Sequence, residues 1–254
     1  MKNALIIGGS KGLGWASAKK LVSEGFRVFI VHRDPRFYQD EFQLKLAKLN
    51  SSDEVAVAYN LDALKADNIN SILSQINDYS PEIKIDVLIH SVAKGSLKSM
   101  QGENPLNSQD IAITLQAMGY NMYEWASAIK SQDLFAKNAS IIGFTSEGNQ
   151  KVWENYAAVS AAKATLEALM RHMAFSFAKD GIRTNLIQAG VCKTEAFKQI
   201  PGSEQIEAYS LKRNPFNRLT TPVDVANVVY LLTRREAKWI NGSIIKVDGG
   251  ESLK

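Results

Sequence analysis

Ala4-Leu5-Ile6-Ile7-Gly8-Gly9-Ser10-Lys11-Gly12-Leu13-Gly14 is an apolar run that breaks into a glycine-rich turn, and the amphipathic stretch Leu13–Glu24 follows at once. A short apolar run bounded by glycine reads as a buried strand, and the 3.6-residue period after it as a helix. Between the two, glycine permits a tight turn and close backbone approach. The helix N-terminus adds unpaired N–H groups and a partial positive charge, a combination that suits a pyrophosphate.

The same alternation runs down the chain. Strands are expected at Ala4–Gly8, Arg27–His32, Val55–Asn60, Val87–Ser91, Ser140–Phe144, Arg183–Gln188 and Ser243–Val247. Helices are expected at Leu13–Glu24, Phe37–Leu49, Asp67–Asp78, Gln109–Lys130, Tyr156–Lys179 and Val223–Thr233. Thr221 can cap the last helix, Pro222 fits its first position, and Asp224 completes a capping box. Near-continuous apolar strands separated by helix-length segments predict a parallel sheet covered on both faces. The fold class expected is α/β, one doubly wound Rossmann-type domain over residues 1–254 with a seven-stranded parallel sheet. Lys193 to Leu219, with Pro201, Gly202 and Pro215, shows no clear period and is expected to be a substrate loop.

Composition narrows the classes. With 45% hydrophobic and 22% charged residues the 254-residue chain can bury a full core and is not disordered. A net charge of +4 without a long basic run gives no support for a nucleic-acid or membrane partner, although its sign favours an acidic or phosphorylated one. Cys192 is the single cysteine, which excludes an intrachain disulfide and suits a reducing compartment. His32, His90 and His172 lack metal-ligand spacing, so no metal is expected. The opening run is no signal peptide and no apolar stretch approaches 18 residues, so a cytoplasmic location is expected.

Tyr156 and Lys163 are seven residues apart at the start of an alanine-rich helix. Seven steps of 100° return to within about 20° of the same direction, so both side chains can face one cleft. An ammonium near a phenol would lower its pKa, and such a lysine can also hold a ribose.

Gly8-x-x-x-Gly12-x-Gly14 resembles the nucleotide turn of the short-chain dehydrogenase/reductase family. The resemblance implies that Gly8, Ser10, Lys11, Gly12, Leu13 and Gly14 hold a nicotinamide dinucleotide. His32 stands where NAD-preferring members carry Asp, and Arg33 at the position of the NADP-preferring Arg. Arg33 with Lys11 could clamp a 2′-phosphate, with Asp34 a competing counter-charge, so the expected cofactor is NADPH. Asp62 matches the family Asp that contacts adenine. Ser91, Val92 and Ala93 follow the fourth strand, Ala189, Gly190 and Val191 the sixth, and Thr194 matches the Thr that contacts the nicotinamide carboxamide.

Tyr-x6-Lys, in place of Tyr-x-x-x-Lys with Ser160 at the fourth position, resembles the NADPH-dependent bacterial enoyl-acyl-carrier-protein reductases. His90-Ser91, Ala189-Gly190 and Glu154-Asn155-Tyr156 point the same way. The resemblance implies reduction of an enoyl thioester on an acyl carrier protein, with Tyr156 and Lys163 catalytic, in a homotetramer built on the helix carrying Ala157, Ala161, Ala164, Ala168, Met173 and Phe177. Many such reductases carry a second Tyr ten residues before the first, where this chain has Ser146; a variant placement gives Val152. Thr145 and Ser146 are therefore candidate substrate-hydroxyl contacts, and Gln116 occupies the slot of the family's active-site Asn. Lys193, Lys198, Lys212 and Arg213 are candidates to meet an acidic carrier. Trp15 and Trp153 are read as packing residues. Two alternatives stay open: a carbonyl or hydroxyl oxidoreductase, and a non-catalytic NADP-binding module.

Overall fold

The computed structural model describes residues 1–50, 55–80 and 82–254. Seven strands, β1 (Lys2–Ile7), β2 (Phe26–His32), β3 (Ala56–Asn60), β4 (Ile85–His90), β5 (Phe135–Thr145), β6 (Arg183–Ala189) and β7 (Ile244–Val247), form one sheet in the order β3-β2-β1-β4-β5-β6-β7. Every pairing is parallel. The order reverses between β1 and β4, and the crevice beyond the carboxyl ends of strands flanking such a switch is where doubly wound sheets bind ligands.

Alternate residues of the strands feed two cores. Leu5, Ile7, Phe29, Val31 and Ile141 pack under helices α3 (Ala66–Tyr79), α5 (Asn121–Ser131) and α6 (Ala157–Phe177). Ala4, Ile6, Val28, Ile30 and Ile142 pack under α1 (Gly12–Ser23), α2 (Arg36–Leu49) and α9 (Pro222–Thr233). Two-sided burial is why the strands read as unbroken apolar runs. The Thr221–Asp224 capping box at α9 forms as expected, with the Asp224 N–H on Thr221 Oγ1 at 3.3 Å and the Thr221 N–H on Asp224 Oδ2 at 2.8 Å.

Two segments depart from the sequence reading. The expected helix Gln109–Lys130 is α4 (Ser108–Thr114), a π-helical turn over Leu115–Tyr120, and α5. The wider turn absorbs a residue against α6, a tertiary demand with no local signature. Lys193–Leu219 is largely helical, containing α7 (Glu195–Lys198) and α8 (Ser203–Arg213). The mixed polar surface of α8 hid its period, and its first turn starts from Gly202, held at φ +76°.

Candidate active site

The nucleotide turn is closed by contacts that only glycine allows. Gly8 has φ +84°, and a Cβ there would lie 2.6 Å from the Ser91 carbonyl oxygen; one at Gly14 would lie 2.3 Å from the Gly8 carbonyl. The turn thus wedges between β1, the start of α1, and the Ser91-Val92 segment that follows β4. Lys11, the residue before α1, supplies no side-chain cap, so the first N–H groups of α1 have no partner from that residue. A closely approached backbone and an uncapped helix N-terminus fit a dinucleotide pyrophosphate.

Charge around the end of β2 is arranged differently from the expected clamp. Arg33 Nη1 donates to Asp62 Oδ2 at 2.5 Å. Asp34 takes Lys11, at 3.3 Å, and His32 Nδ1, at 3.1 Å, rather than Arg33. Lys11 also lies 3.7 Å from the centroid of the Tyr38 ring. Both proposed phosphate ligands therefore rest on carboxylates, because two acidic residues come within reach of two exposed cations. The Arg33–Asp62 pair is open to solvent, worth only about 0–1 kcal/mol, and can yield to a better anion, whereas Lys11 is held by the largely buried side chain of Asp34.

A cavity of about 550 Å³ opens beside the turn. Leu13, Ala93, Thr145, Ser146, Tyr156, Ala189, Gly190, Val191 and Thr194 all line it, so residues from five separated segments meet there. Leu97, Met118, Trp153, Val159, Phe197 and Ile200 make its apolar wall. Trp153, read as packing, has its ring 5.3 Å from that of Tyr156, whereas Trp15 stacks edge-on against Phe42 away from the cavity. Cys192 is a buried wall residue whose thiol is pushed up to about 12 by burial, so it is no nucleophile at neutral pH.

Tyr156 is buried directly before α6. Its hydroxyl lies 3.4 Å from Ser146 Oγ, and burial raises its pKa against a smaller lowering by that contact. The expected lowering by Lys163 does not operate here. Lys163 is instead buried behind the cavity, donating from Nζ to the Phe144 carbonyl at 2.8 Å. Desolvation brings its pKa from 10.5 to about 8, opposed by the field of Glu167. Tyr156 is accordingly a neutral phenol, a donor and not a base.

Thr145 turns its hydroxyl to Glu167 Oε1, at 2.7 Å, which leaves Ser146 as the hydroxyl beside Tyr156. Glu167 escaped the sequence reading. The available signal was a carboxylate one turn beyond Lys163 on the buried face of an otherwise apolar helix. His90 is fully desolvated, held near pKa 3 by burial and by Lys163, and its Nε2 meets Asn121 Oδ1 at 3.2 Å. Gln116 does not line the cavity; its amide donates to the Leu64 carbonyl at 3.0 Å. Gly148 was also missed: a Cβ there would lie 2.5 Å from Tyr156 Cε1, so the phenol ring rests directly on the backbone of that residue.

The segment over the cavity is tethered from within. Arg213, at the end of α8, is buried between Glu147 and Glu251, with Nη2 2.9 Å from Glu251 Oε1. Lys193 pairs with Glu207 and Lys198 with Glu195. Of the four cations considered for a carrier protein, three are engaged internally: α8 and α7 bring Glu207 and Glu195 to Lys193 and Lys198, and the segments after β5 and β7 bring Glu147 and Glu251 to Arg213. Of the α6 residues named for an assembly, Met173 belongs to the core, whereas Ala161 and Ala164 are exposed, as is Phe175. Among the described residues no helix is long and apolar enough to cross a membrane, and no cluster of His, Cys, Asp and Glu is arranged to hold a metal.

A doubly wound sheet, a glycine turn at its switch point, and a Tyr and Lys flanking an apolar cavity define a nicotinamide-dinucleotide oxidoreductase of the short-chain dehydrogenase/reductase type. A family model described as enoyl-(acyl carrier protein) reductase matches residues 8–252, and the chain belongs to that family. Among its relatives is the NADH-named enoyl-[acyl-carrier-protein] reductase of Buchnera aphidicola, 29% identical over 219 residues that cover 85% of this chain and 83% of that protein. The Enterococcus faecalis protein of the same name is 26% identical over 99% of this chain and 98% of its own length. The crystal structure of the Aquifex aeolicus enzyme so named shares the fold, with a TM-score of 0.85 at 23% identity over 100% of this chain and 97% of that one.

Proposed function

We propose that this protein reduces the 2,3 double bond of an enoyl thioester with NADPH, the thioester being carried by an acyl carrier protein. The observation that carries the reading is a buried, neutral Tyr156 phenol at the end of an apolar cavity, seven residues before Lys163. When bound, the reduced nicotinamide supplies hydride to the β-carbon. Tyr156 donates a hydrogen bond to the thioester oxygen as negative charge develops there, with Ser146 beside it. Its raised pKa keeps the proton on the phenol until that charge appears. Lys163 places positive charge behind the site and would hold the ribose by exchanging its bond to the Phe144 carbonyl, while Leu97, Val159, Phe197 and Ile200 exclude water from the acyl chain. The proton for the α-carbon comes from solvent.

NADPH is proposed although the relatives' names specify NADH. His32 leaves no carboxylate at the end of β2, Arg33 is exposed, and its bond to Asp62 is a surface pair that a dianionic 2′-phosphate can replace. Residues 1–254 are proposed to act as one catalytic domain, with 193–219 as the substrate-binding segment. A homotetramer is proposed by family resemblance, supported by the exposed Ala161, Ala164 and Phe175 on α6 and Tyr120 and Tyr123 beside it.

The test is product analysis with crotonyl-CoA and acetoacetyl-CoA, each with NADPH and NADH. Saturated product from the enoyl substrate with NADPH is expected. A 3-hydroxyacyl product from the ketone, without a saturated product from the enoyl substrate, restores the carbonyl reductase.

A further inference from the structure

At the opposite end of the sheet from the nucleotide turn, a second cleft of about 230 Å³ lies among the amino ends of β1, β4, β5 and β6 and the segment after α9. Lys2, Lys137, Arg183, Arg234, Arg235 and Lys238 line it, against one carboxylate, Asp86. These seven residues sum to +5, while the whole chain carries +4. The protein's basic excess is thus concentrated at this rim, and the remainder is close to neutral.

Two buried groups there are unspent. Arg183 is 8% exposed and its terminal nitrogens are committed: Nη1 donates to the Ala237 and Ile240 carbonyls, at 3.1 and 3.3 Å, and Nη2 to Leu232 at 2.9 Å. Its Nε has no partner. Ser140, 1% exposed, lines the same cleft with an unpartnered Oγ. Leaving a buried donor unmade is costly, so such groups in a native fold call for a ligand or an ordered water. Asp86 does not fill this need; its Oδ2 accepts the Asn3 N–H at 2.8 Å. Arg234 is partly engaged, donating to the Tyr230 hydroxyl at 2.9 Å and lying 3.7 Å from Glu236.

We propose that this cleft is a binding site for a phosphate-type oxyanion. Arg183 Nε and the Ser140 hydroxyl are its buried donors, and Lys137, Lys238, Lys2 and Arg235 supply the surrounding positive charge. An oxyanion accepts from several directions at once, which suits donors at paired positions of adjacent strands, Ser140 on β5 and Arg183 on β6, and charge-assisted bonds of this kind are the strong ones. The ion is either free inorganic phosphate or the end of a phosphate monoester, since both present the same three or four acceptor oxygens.

The experiment titrates NADPH-saturated protein with inorganic phosphate and, separately, with phenyl phosphate, by calorimetry and phosphorus NMR; the bound cofactor keeps the nucleotide turn filled. One saturable site per chain is expected. Its affinity should fall at least about tenfold in Lys137→Ala/Lys238→Ala, two exposed positions whose loss leaves the fold intact, and again in Ser140→Ala. Equal binding of phenyl phosphate identifies a monoester site; its exclusion identifies the inorganic ion. No saturable binding at about 10 mM phosphate, or binding unchanged in the double variant, overturns the proposal and assigns the unpartnered Arg183 Nε and Ser140 Oγ to water. Because the readout is binding, it is independent of whether the enzyme reduces an enoyl thioester.

Discussion

Replacing Lys163 by methionine should make this protein more stable at neutral pH and destroy its activity. The ammonium is 7% exposed and makes one hydrogen bond, to Phe144. Burial brings its pKa from 10.5 to about 8, and at about 1.4 kcal/mol per pKa unit this costs the folded state about 3 kcal/mol whenever the lysine is charged. Methionine is similar in length and carries no charge. Against the relief stands the loss of the bond to the Phe144 carbonyl, about 1 kcal/mol, so a net gain of about 2 kcal/mol is expected at pH 7. The sign with pH follows from linkage. Between pH 8 and 10.5 the unfolded chain binds more protons at this site than the folded one, so wild-type stability gains with rising pH while the variant's does not. The variant's advantage is therefore full below pH 8 and falls toward zero by about pH 10. Urea unfolding of both proteins at pH 7 and pH 10 measures it. A variant less stable than wild type at pH 7, or a gap that is the same at both pH values, refutes the reasoning. The companion measurement, turnover of the enoyl thioester, should show a loss of at least about a hundredfold.

Tyr156→Phe keeps the ring and removes the donor. Turnover should fall by roughly 10²–10³ while NADPH affinity, read by fluorescence titration, is retained; unchanged turnover moves the chemistry to Ser146. Arg33→Ala should weaken NADPH by roughly ten- to a hundredfold and leave NADH within about twofold, checked by cofactor KM values. An equal effect on both cofactors would mean that Arg33 does not face a 2′-phosphate. Gly148→Ala places a Cβ 2.5 Å from Tyr156 Cε1 and must displace the phenol, so kcat should drop while cofactor affinity holds. Wild-type kcat in that variant would show that the ring position is not critical.

The architecture was legible in the amino-acid order because its determinants are local. Apolar strand runs, 3.6-residue periods, the glycines of residues 8–14 and the Thr221-Pro222-Asp224 start signal each act within one turn or one strand. Parallel pairing follows from helices between strands, and both core faces follow from strand alternation. Helix arithmetic puts Tyr156 and Lys163 on one side of the chain, but of the two only Tyr156 lines the cavity. What the order of residues could not decide was where charges end up when distant segments meet. Asp62 reaches Arg33 from 29 positions away, Glu167 reaches Thr145 from 22, and Arg213 reaches Glu147 from 66. Lys163 turned to Phe144 rather than toward the phenol, so the pKa shift at Tyr156 came out opposite to the one expected. The π-helical turn at Leu115–Tyr120 and the helices inside 193–219 belong to the same class, set by packing against α6 and by the Arg213 tether. Periodicity reports which face of an element is buried; it carries no information about which polar partner is waiting on the other side, and desolvation and ion pairing depend on that partner alone.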